Sequence, residues 1–204
     1  HAETLDIFAT SVIGPCFFKP STVDDLVEYC RIIAAAAPSK GFYYYHSGMS
    51  GLSLDMEQFL IAAADKIPNL SGMKFNSADM YEFQRCLRVN NRQFDIPFGV
   101  DEFLPAGLAC GAVGAVGSTY NYAAPLYHRL IDSFNRGDHQ DVAACMDKVI
   151  AIIRVLIQYG GVAAGKLAMQ LHSIDVGDPR RPLRPMTSEQ KRVALDAFRA
   201  ADFI

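Results

Sequence analysis

The sequence predicts an α/β fold built on a parallel sheet, on three observations. Short β-rich runs alternate with helical stretches through the first half of the chain. Those runs are nearly continuous in apolar residues rather than alternating, as expected of strands covered on both faces. Polar, chemistry-bearing residues gather just where each run ends.

Taken in order, Ala9–Gly14 (ATSVIG) is the first strand candidate. Ser21 or Thr22 then caps a helix running to Ala37, with Asp24 and Asp25 in its first turn. Gly41–His46 (GFYYYH) is aromatic and strand-like, and a helix follows from Ser53 to about Lys66. Leu70–Phe75 is the third strand, and Ser77–Val89 a helix with Asp79 in its first turn. Asp95–Val100 is the fourth strand, Glu102–Cys110 a short helix, and Ala112–Ser118 a fifth strand of small residues. Small residues in a strand call for something close to the backbone. From Ala123 onward only helices are expected, near Leu126–Asn135, His139–Tyr159, Val162–His172 and Thr187–Ala201. The residues His1–Phe8 read as the tail of a helix entering a strand.

Five strands fit either a doubly wound sheet or part of a (β/α)₈ barrel, which needs eight strands and typically about 250 residues. The glycines of Gly111–Gly117 lie inside a strand rather than after one, which argues against a dinucleotide-binding loop. On the barrel reading three βα units would precede His1.

Composition narrows the function classes. The chain has 204 residues, half of them hydrophobic, and a formal net charge of −3. Mild acidity without a basic stripe excludes nucleic acid as the expected partner. No apolar run approaches the roughly 20 residues of a membrane span; Val149–Ile157 comes nearest and Arg154 interrupts it. The five cysteines are scattered without metal-ligand spacing, which reads as reduced thiols in a cytosolic protein.

Lys74 is the most informative residue. An ammonium at the end of a buried apolar run is costly to desolvate, so the free amine is favoured there. A free amine attacks a ketone to form a Schiff base. A lysine snorkelling from a strand end is the plain alternative. Its company argues against that: Tyr45-His46 end the second run, Asp101-Glu102 the fourth, and Ser118-Thr119 the fifth. Each has a plain reading too, as strand packing, helix-dipole complement or turn cap. In a barrel all those ends converge on one mouth. An amine, a phenol, two carboxylates and hydroxyls together suit carbonyl chemistry on a polyhydroxylated substrate.

These residues carry a resemblance. The segments Pro15–Pro20, Ala34–Pro38, Phe42–His46, Gly72–Phe75, Gly99–Glu102, Gly114–Asn121 and Pro179–Leu183 resemble the class I aldolase family of N-acetylneuraminate lyase and dihydrodipicolinate synthase. The Val-Asp-Glu and Ser-Thr-Tyr-Asn blocks favour its sialic acid branch. The resemblance implies a (β/α)₈ barrel with strands 4–8 present in residues 1–136 and a C-terminal helical extension in 137–204. It implies Lys74 as the Schiff-base lysine, Tyr45 as the proton-transferring phenol, and Gly99, Asp101, Glu102 and Ser118 as holders of the sugar's glycerol tail. The activity implied is reversible cleavage of N-acetylneuraminate to N-acetylmannosamine and pyruvate by a cytoplasmic homotetramer, with neither metal nor organic cofactor.

The sequence also departs from the family. After Tyr45 it reads His46-Ser47-Gly48-Met49-Ser50-Gly51, without the arginine usual in dihydrodipicolinate synthases and without the Ile-Pro of the lyases. The family's Gly-x-Thr-Gly-Glu loop, which binds the pyruvate carboxylate, does not occur in this sequence. Three readings therefore stand: a sialic acid lyase, an aldolase of a related 2-keto-3-deoxy sugar acid, and an inactive fragment that only binds sugar acids.

Overall fold

A computed structural model describes residues 1–203. The chain resolves into two compact units, His1–Val116 and Gly117–Ile204.

The first unit is α/β. Strands β1 (Ala9–Ile13), β2 (Gly41–Ser47) and β3 (Leu70–Asn76) form a parallel sheet in that order, and helices α1 (Val23–Ala34), α2 (Met56–Lys66), α3 (Met80–Arg88) and α4 (Leu104–Cys110) alternate with them. The helices start where side chains can satisfy their first amides. Thr22 and Asp25 form a capping box on α1, Asp55 accepts from the amide of Gln58, and Asp79 accepts from that of Glu82. Asp79 is thus the N-cap of α3 and not part of its first turn. The expected starts at Ser53 and Ser77 move to Met56 and Met80 for this reason. Helix α1 stops at Ala34, short of the expected Ala37, and Ala35–Ala37 continue as tight turns ahead of Pro38. Residues 1–8 hold a single 3₁₀ turn, Ala2–Thr4.

Two of the five expected strands are not strands. Residues 95–99 and 114–116 make only isolated parallel bridges, Gly72 with Asp95, Phe75 with Phe98, and Phe98 with Ala115. Their order still continues the sheet. The amide of Asp95 donates to Ser71, that of Met73 to Asp95, that of Phe75 to Pro97 and that of Gly99 to Phe75. Pro97 has no N–H to give, so the ladder breaks where the fourth strand should be continuous. At Gly114, within the run of small residues, a Cβ would meet nothing within 4 Å, so no close approach requires a glycine there.

The register of β3 is set by a bulge. Phe42 pairs with Leu70 but Tyr43 pairs with Gly72, leaving Ser71 without a partner on β2. Continued without the bulge, the Phe42–Leu70 register would set Tyr45 opposite Met73. With it, Tyr45 faces Lys74 and Ser47 faces Asn76.

Helices cover the face of the sheet carrying Phe42, Tyr44, Met73 and Phe75, all fully buried with Leu26, Met56, Phe59, Leu60 and Phe83. Phe75, Phe83 and Phe98 stack in succession at centroid distances of 5.1 Å. Arg85 of α3 donates to both Asp55 and Glu57, tying α3 to the start of α2.

The second unit is helical: α5 (Tyr120–Asn135), α6 (His139–Tyr159), α7 (Gly161–Ala168) with a 3₁₀ turn to His172, and α8 (Ser188–Ala200). Helix α5 begins six residues before the expected Leu126, and the turn around Ala123 absorbs Pro125. Leu130, Val149, Ile152, Ala164, Ala194 and Phe198 are buried in this unit. Arg129 and Ser133 of α5 both donate to Asp141 of α6 and hold its carboxyl down at about 2. Among the described residues no helix is long and apolar enough to cross a membrane.

A Cβ on Gly72 would lie 1.7 Å from the carbonyl oxygen of Asp95, a backbone atom that cannot yield. Gly72→Ala should therefore separate residues 95–99 from β3 and lose more than the roughly 1–3 kcal/mol of ordinary overpacking. Denaturant titration checks this, and a wild-type midpoint would refute the proposed closeness of the two segments.

Candidate active site

Alternation along β2 and β3 sorts their side chains. Tyr45 and Ser47, and opposite them Lys74 and Asn76, project to the face that the helices leave uncovered. Lys74 Nζ lies 4.2 Å from the centroid of the Tyr45 ring. An aromatic face at that distance attracts the lysine head group and fixes where its nitrogen sits. Lys74 is half-buried, not buried as its apolar run predicts. The reason is positional: Met73 and Phe75 point into the helix-covered core, and Lys74 between them points the other way.

Gly99 belongs to the same cluster. A Cβ there would stand 3.0 Å from Lys74 Cε, from Asn76 Cβ and from the Phe75 carbonyl oxygen. The position is a glycine because the lysine side chain passes directly over it. Two residues on, Asp101 and Glu102 open a 3₁₀ turn, Asp101–Phe103, that leads into α4. Asp101 is 6 % exposed, whereas Glu102 faces solvent. The structure therefore brings Lys74, Tyr45 and Gly99 together, with Asp101 and Glu102 on the loop that continues from Gly99. Ser118 lies in the second unit. Its carbonyl accepts from Asn121 Nδ2 at 2.9 Å, and it lines a cavity of about 370 Å³ with Asn121, Tyr122, Gly165 and Met169.

Four polar contacts are not anticipated from the sequence. Asn76 Nδ2 donates to Tyr45 Oη at 3.4 Å and to Ser47 Oγ at 3.2 Å. The signal for Asn76 was present, since it stands two residues from Lys74 and shares its face. Tyr43 Oη donates to Asp95 Oδ2 at 2.9 Å, and burial with this carboxylate pushes the phenol up to about 12. On the helix-covered face His46 packs against Phe75, with Nε2 3.8 Å from Glu82 Oε2. Burial pulls His46 below its ordinary value, Asp79 opposing. It raises Glu82, although the Met56 amide donates to that carboxylate and opposes the rise. Burial thus favours the neutral form of both groups.

Tyr44 is fully buried, and among the described residues its hydroxyl has no hydrogen-bond partner. Burial raises it far above the ordinary phenol range. Tyr44 is therefore a packing residue, and Tyr45, one residue along and on the other face, is the accessible phenol. Among the described residues no group of three or more His, Cys, Asp or Glu side chains is placed to hold a metal ion.

The arrangement can bring a primary amine and a phenol to one small reacting centre. A lysine nitrogen can add to a carbonyl carbon, and the phenol beside it can accept or donate the proton that the bond changes release.

Comparison with known proteins is consistent with this chemistry. Residues 1–201 match the model of the dihydrodipicolinate synthetase family. N-acetylneuraminate lyase of Mus musculus is 38% identical over 208 residues, covering 100% of this chain and 65% of its own length. The human N-acetylneuraminate lyase is 36% identical with the same coverage. Among solved structures, Proteus mirabilis N-acetylneuraminate lyase superposes with a TM-score of 0.99 at 79% identity, covering 100% of this chain and 69% of that one. The native N-acetylneuraminate lyase (sialic acid aldolase) of Aliivibrio salmonicida gives 0.99 at 66% identity, covering 100% and 68%. The chain spans 65% of the length of these curated relatives. On the family match along nearly its whole length, the chain belongs to the dihydrodipicolinate synthetase family.

Proposed function

We propose that this protein cleaves N-acetylneuraminate reversibly to N-acetylmannosamine and pyruvate, as a class I aldolase with Lys74 as its Schiff-base residue. One observation carries the reading: Lys74 and Tyr45 are register partners on adjacent parallel strands, with Nζ 4.2 Å from the phenol ring. The names of the relatives supply the substrate.

In this mechanism Lys74 Nζ adds to the C2 ketone of the open-chain sugar acid, and loss of water leaves an iminium. Tyr45 gives its phenol proton to the hydroxide that leaves as this water, and the phenolate so formed takes the proton of the C4 hydroxyl as the C3–C4 bond breaks. The electron pair of that bond flows into the iminium, giving an enamine and the aldehyde N-acetylmannosamine. Protonation of the enamine at C3 and hydrolysis return the amine and release pyruvate. The lysine is itself the electron sink, so the chemistry calls for neither metal nor organic cofactor. Holding amine and phenol on neighbouring strands supplies orientation that free reactants would have to find.

Gly99, Asp101, Glu102 and Ser118 are assigned to the glycerol tail of the sugar. Carboxylates and hydroxyls are the groups that bind a run of hydroxyls, and such a site rejects analogues by leaving a polar group unpaired. Residues 1–136 are read as the part of a (β/α)₈ barrel carrying its strands 4–8, and residues 137–204 as a helical extension. A cytoplasmic homotetramer is the assembly and compartment that go with this reading.

The test is turnover of the full-length native protein, with pyruvate release coupled to a dehydrogenase. N-acetylneuraminate should be cleaved in preference to other 2-keto-3-deoxy sugar acids. A protein that binds these acids without releasing pyruvate would refute the reading, and a preference for another member would move it to a related aldolase. Asp101→Ala should raise KM for N-acetylneuraminate by about tenfold, the equivalent of one or two hydrogen bonds to hydroxyls, while leaving imine formation with pyruvate intact. Loss of imine formation in that variant would contradict the role given to Asp101.

A further inference from the structure

Strand β2 does not end at Tyr45. It runs two residues further, to Ser47, which is 1 % exposed and stands opposite Asn76 in register. The Asn76 amide nitrogen has two hydrogens and spends one on Ser47 Oγ at 3.2 Å and the other on Tyr45 Oη at 3.4 Å. The bond to the phenol is the longer, and a bond of that length does little to fix a side chain by itself. Ser47 therefore fixes the amide. Ser47 Oγ is fixed in turn, because it accepts the amide of Met49 at 3.3 Å as N-cap of the short turn Gly48–Ser50. The turn closes on the same residue, with Ser50 Oγ donating to the Ser47 carbonyl at 2.8 Å.

The direction of these bonds matters chemically. An N–H aimed at Tyr45 Oη makes the phenol oxygen an acceptor on that side, so its own O–H must point elsewhere. Once the proton has moved, the same N–H meets a phenolate and the bond becomes charge-assisted and stronger. An interaction that strengthens as charge develops favours the transition state over the ground state and acts on kcat rather than KM.

We propose that Ser47 is a positioning residue for the proton-transfer step, acting through Asn76 to orient the phenol oxygen of Tyr45. This rests on the aldolase reading above. It gives a purpose to the turn after Tyr45: the Met49 amide of Gly48–Ser50 holds the serine hydroxyl that holds the amide of Asn76. Ser47 touches no reacting atom in this account.

Three variants of the full-length native protein test it, each followed by steady-state cleavage of N-acetylneuraminate and by borohydride trapping with pyruvate. Ser47→Ala should lower kcat about tenfold, the rate equivalent of one hydrogen bond, with KM within about twofold and trapping unchanged. Ser47→Thr, which keeps the hydroxyl, should recover kcat to within about twofold of wild type. Ser50→Ala removes the loop-closing bond without touching Asn76 and should leave kcat unchanged. The proposal is overturned if Ser47→Ala keeps wild-type kcat, if threonine fails to rescue, or if Ser50→Ala loses as much. Equal loss of trapping and turnover in Ser47→Ala would also overturn it, because the defect would then lie in Lys74 or the fold. If the wild-type protein itself neither traps pyruvate nor turns over, the aldolase reading fails and takes this inference with it.

Discussion

The geometry of the first unit depends on where β3 sits between its two neighbours. On one side a single unpaired residue, Ser71, advances β3 by one position against β2 and brings Lys74 level with Tyr45. On the other side Gly72 lets the Asp95 carbonyl approach to where a Cβ would be. A one-residue slip in a sheet turns every side chain to the opposite face. Without the bulge the phenol would stand opposite Met73, and Lys74 opposite His46. The candidate chemistry is therefore fixed by backbone register first and by side-chain identity second.

Packing on the covered face protects that register. Phe42, Tyr44, Met73 and Phe75 are sealed by α1, α2 and α3, and the stack from Phe75 through Phe83 to Phe98 ties residue 98 to the sheet. Phe98 also accepts a hydrogen bond from the Val116 amide and donates one to Gly114, so one aromatic residue joins the core to both short parallel segments. The open face is left with few steric demands, and there small or polar residues, Gly99, Asn76, Ser47 and Tyr45, surround the lysine. Rigid strands with one face committed to the core suit a site whose reacting groups must hold fixed positions.

Most of this first unit is legible in the sequence where periodicity and capping chemistry agree. The strands at 9, 41 and 70 and the helices that follow them stand close to where apolar runs and Ser, Thr and Asp caps place them. The fourth and fifth strands are less legible because Pro97 and the glycines near 114 interrupt hydrogen bonding without changing the apolar character of the segment. Lys74 and Tyr45 are conspicuous as residue types at strand ends. Their opposition is not, because nothing in LSGMKF marks Ser71 as the extra residue. Asn76 follows from period-two alternation once Lys74 is singled out. Ser47 does not, since its role depends on Asn76 standing opposite it on β3, in a register that the bulge sets. The half-burial of Lys74 was also hidden, because an apolar run reads the same whether one face or both are covered.

The central claim is that the Lys74 amine forms a covalent imine with pyruvate, and it can be tested at a single atom. The full-length native protein is incubated with pyruvate, reduced with borohydride, digested and mapped by mass spectrometry. The account predicts one added three-carbon unit, on the peptide containing Lys74 and on its Nζ. A label on any other lysine, or no label despite measurable cleavage of N-acetylneuraminate, would contradict it.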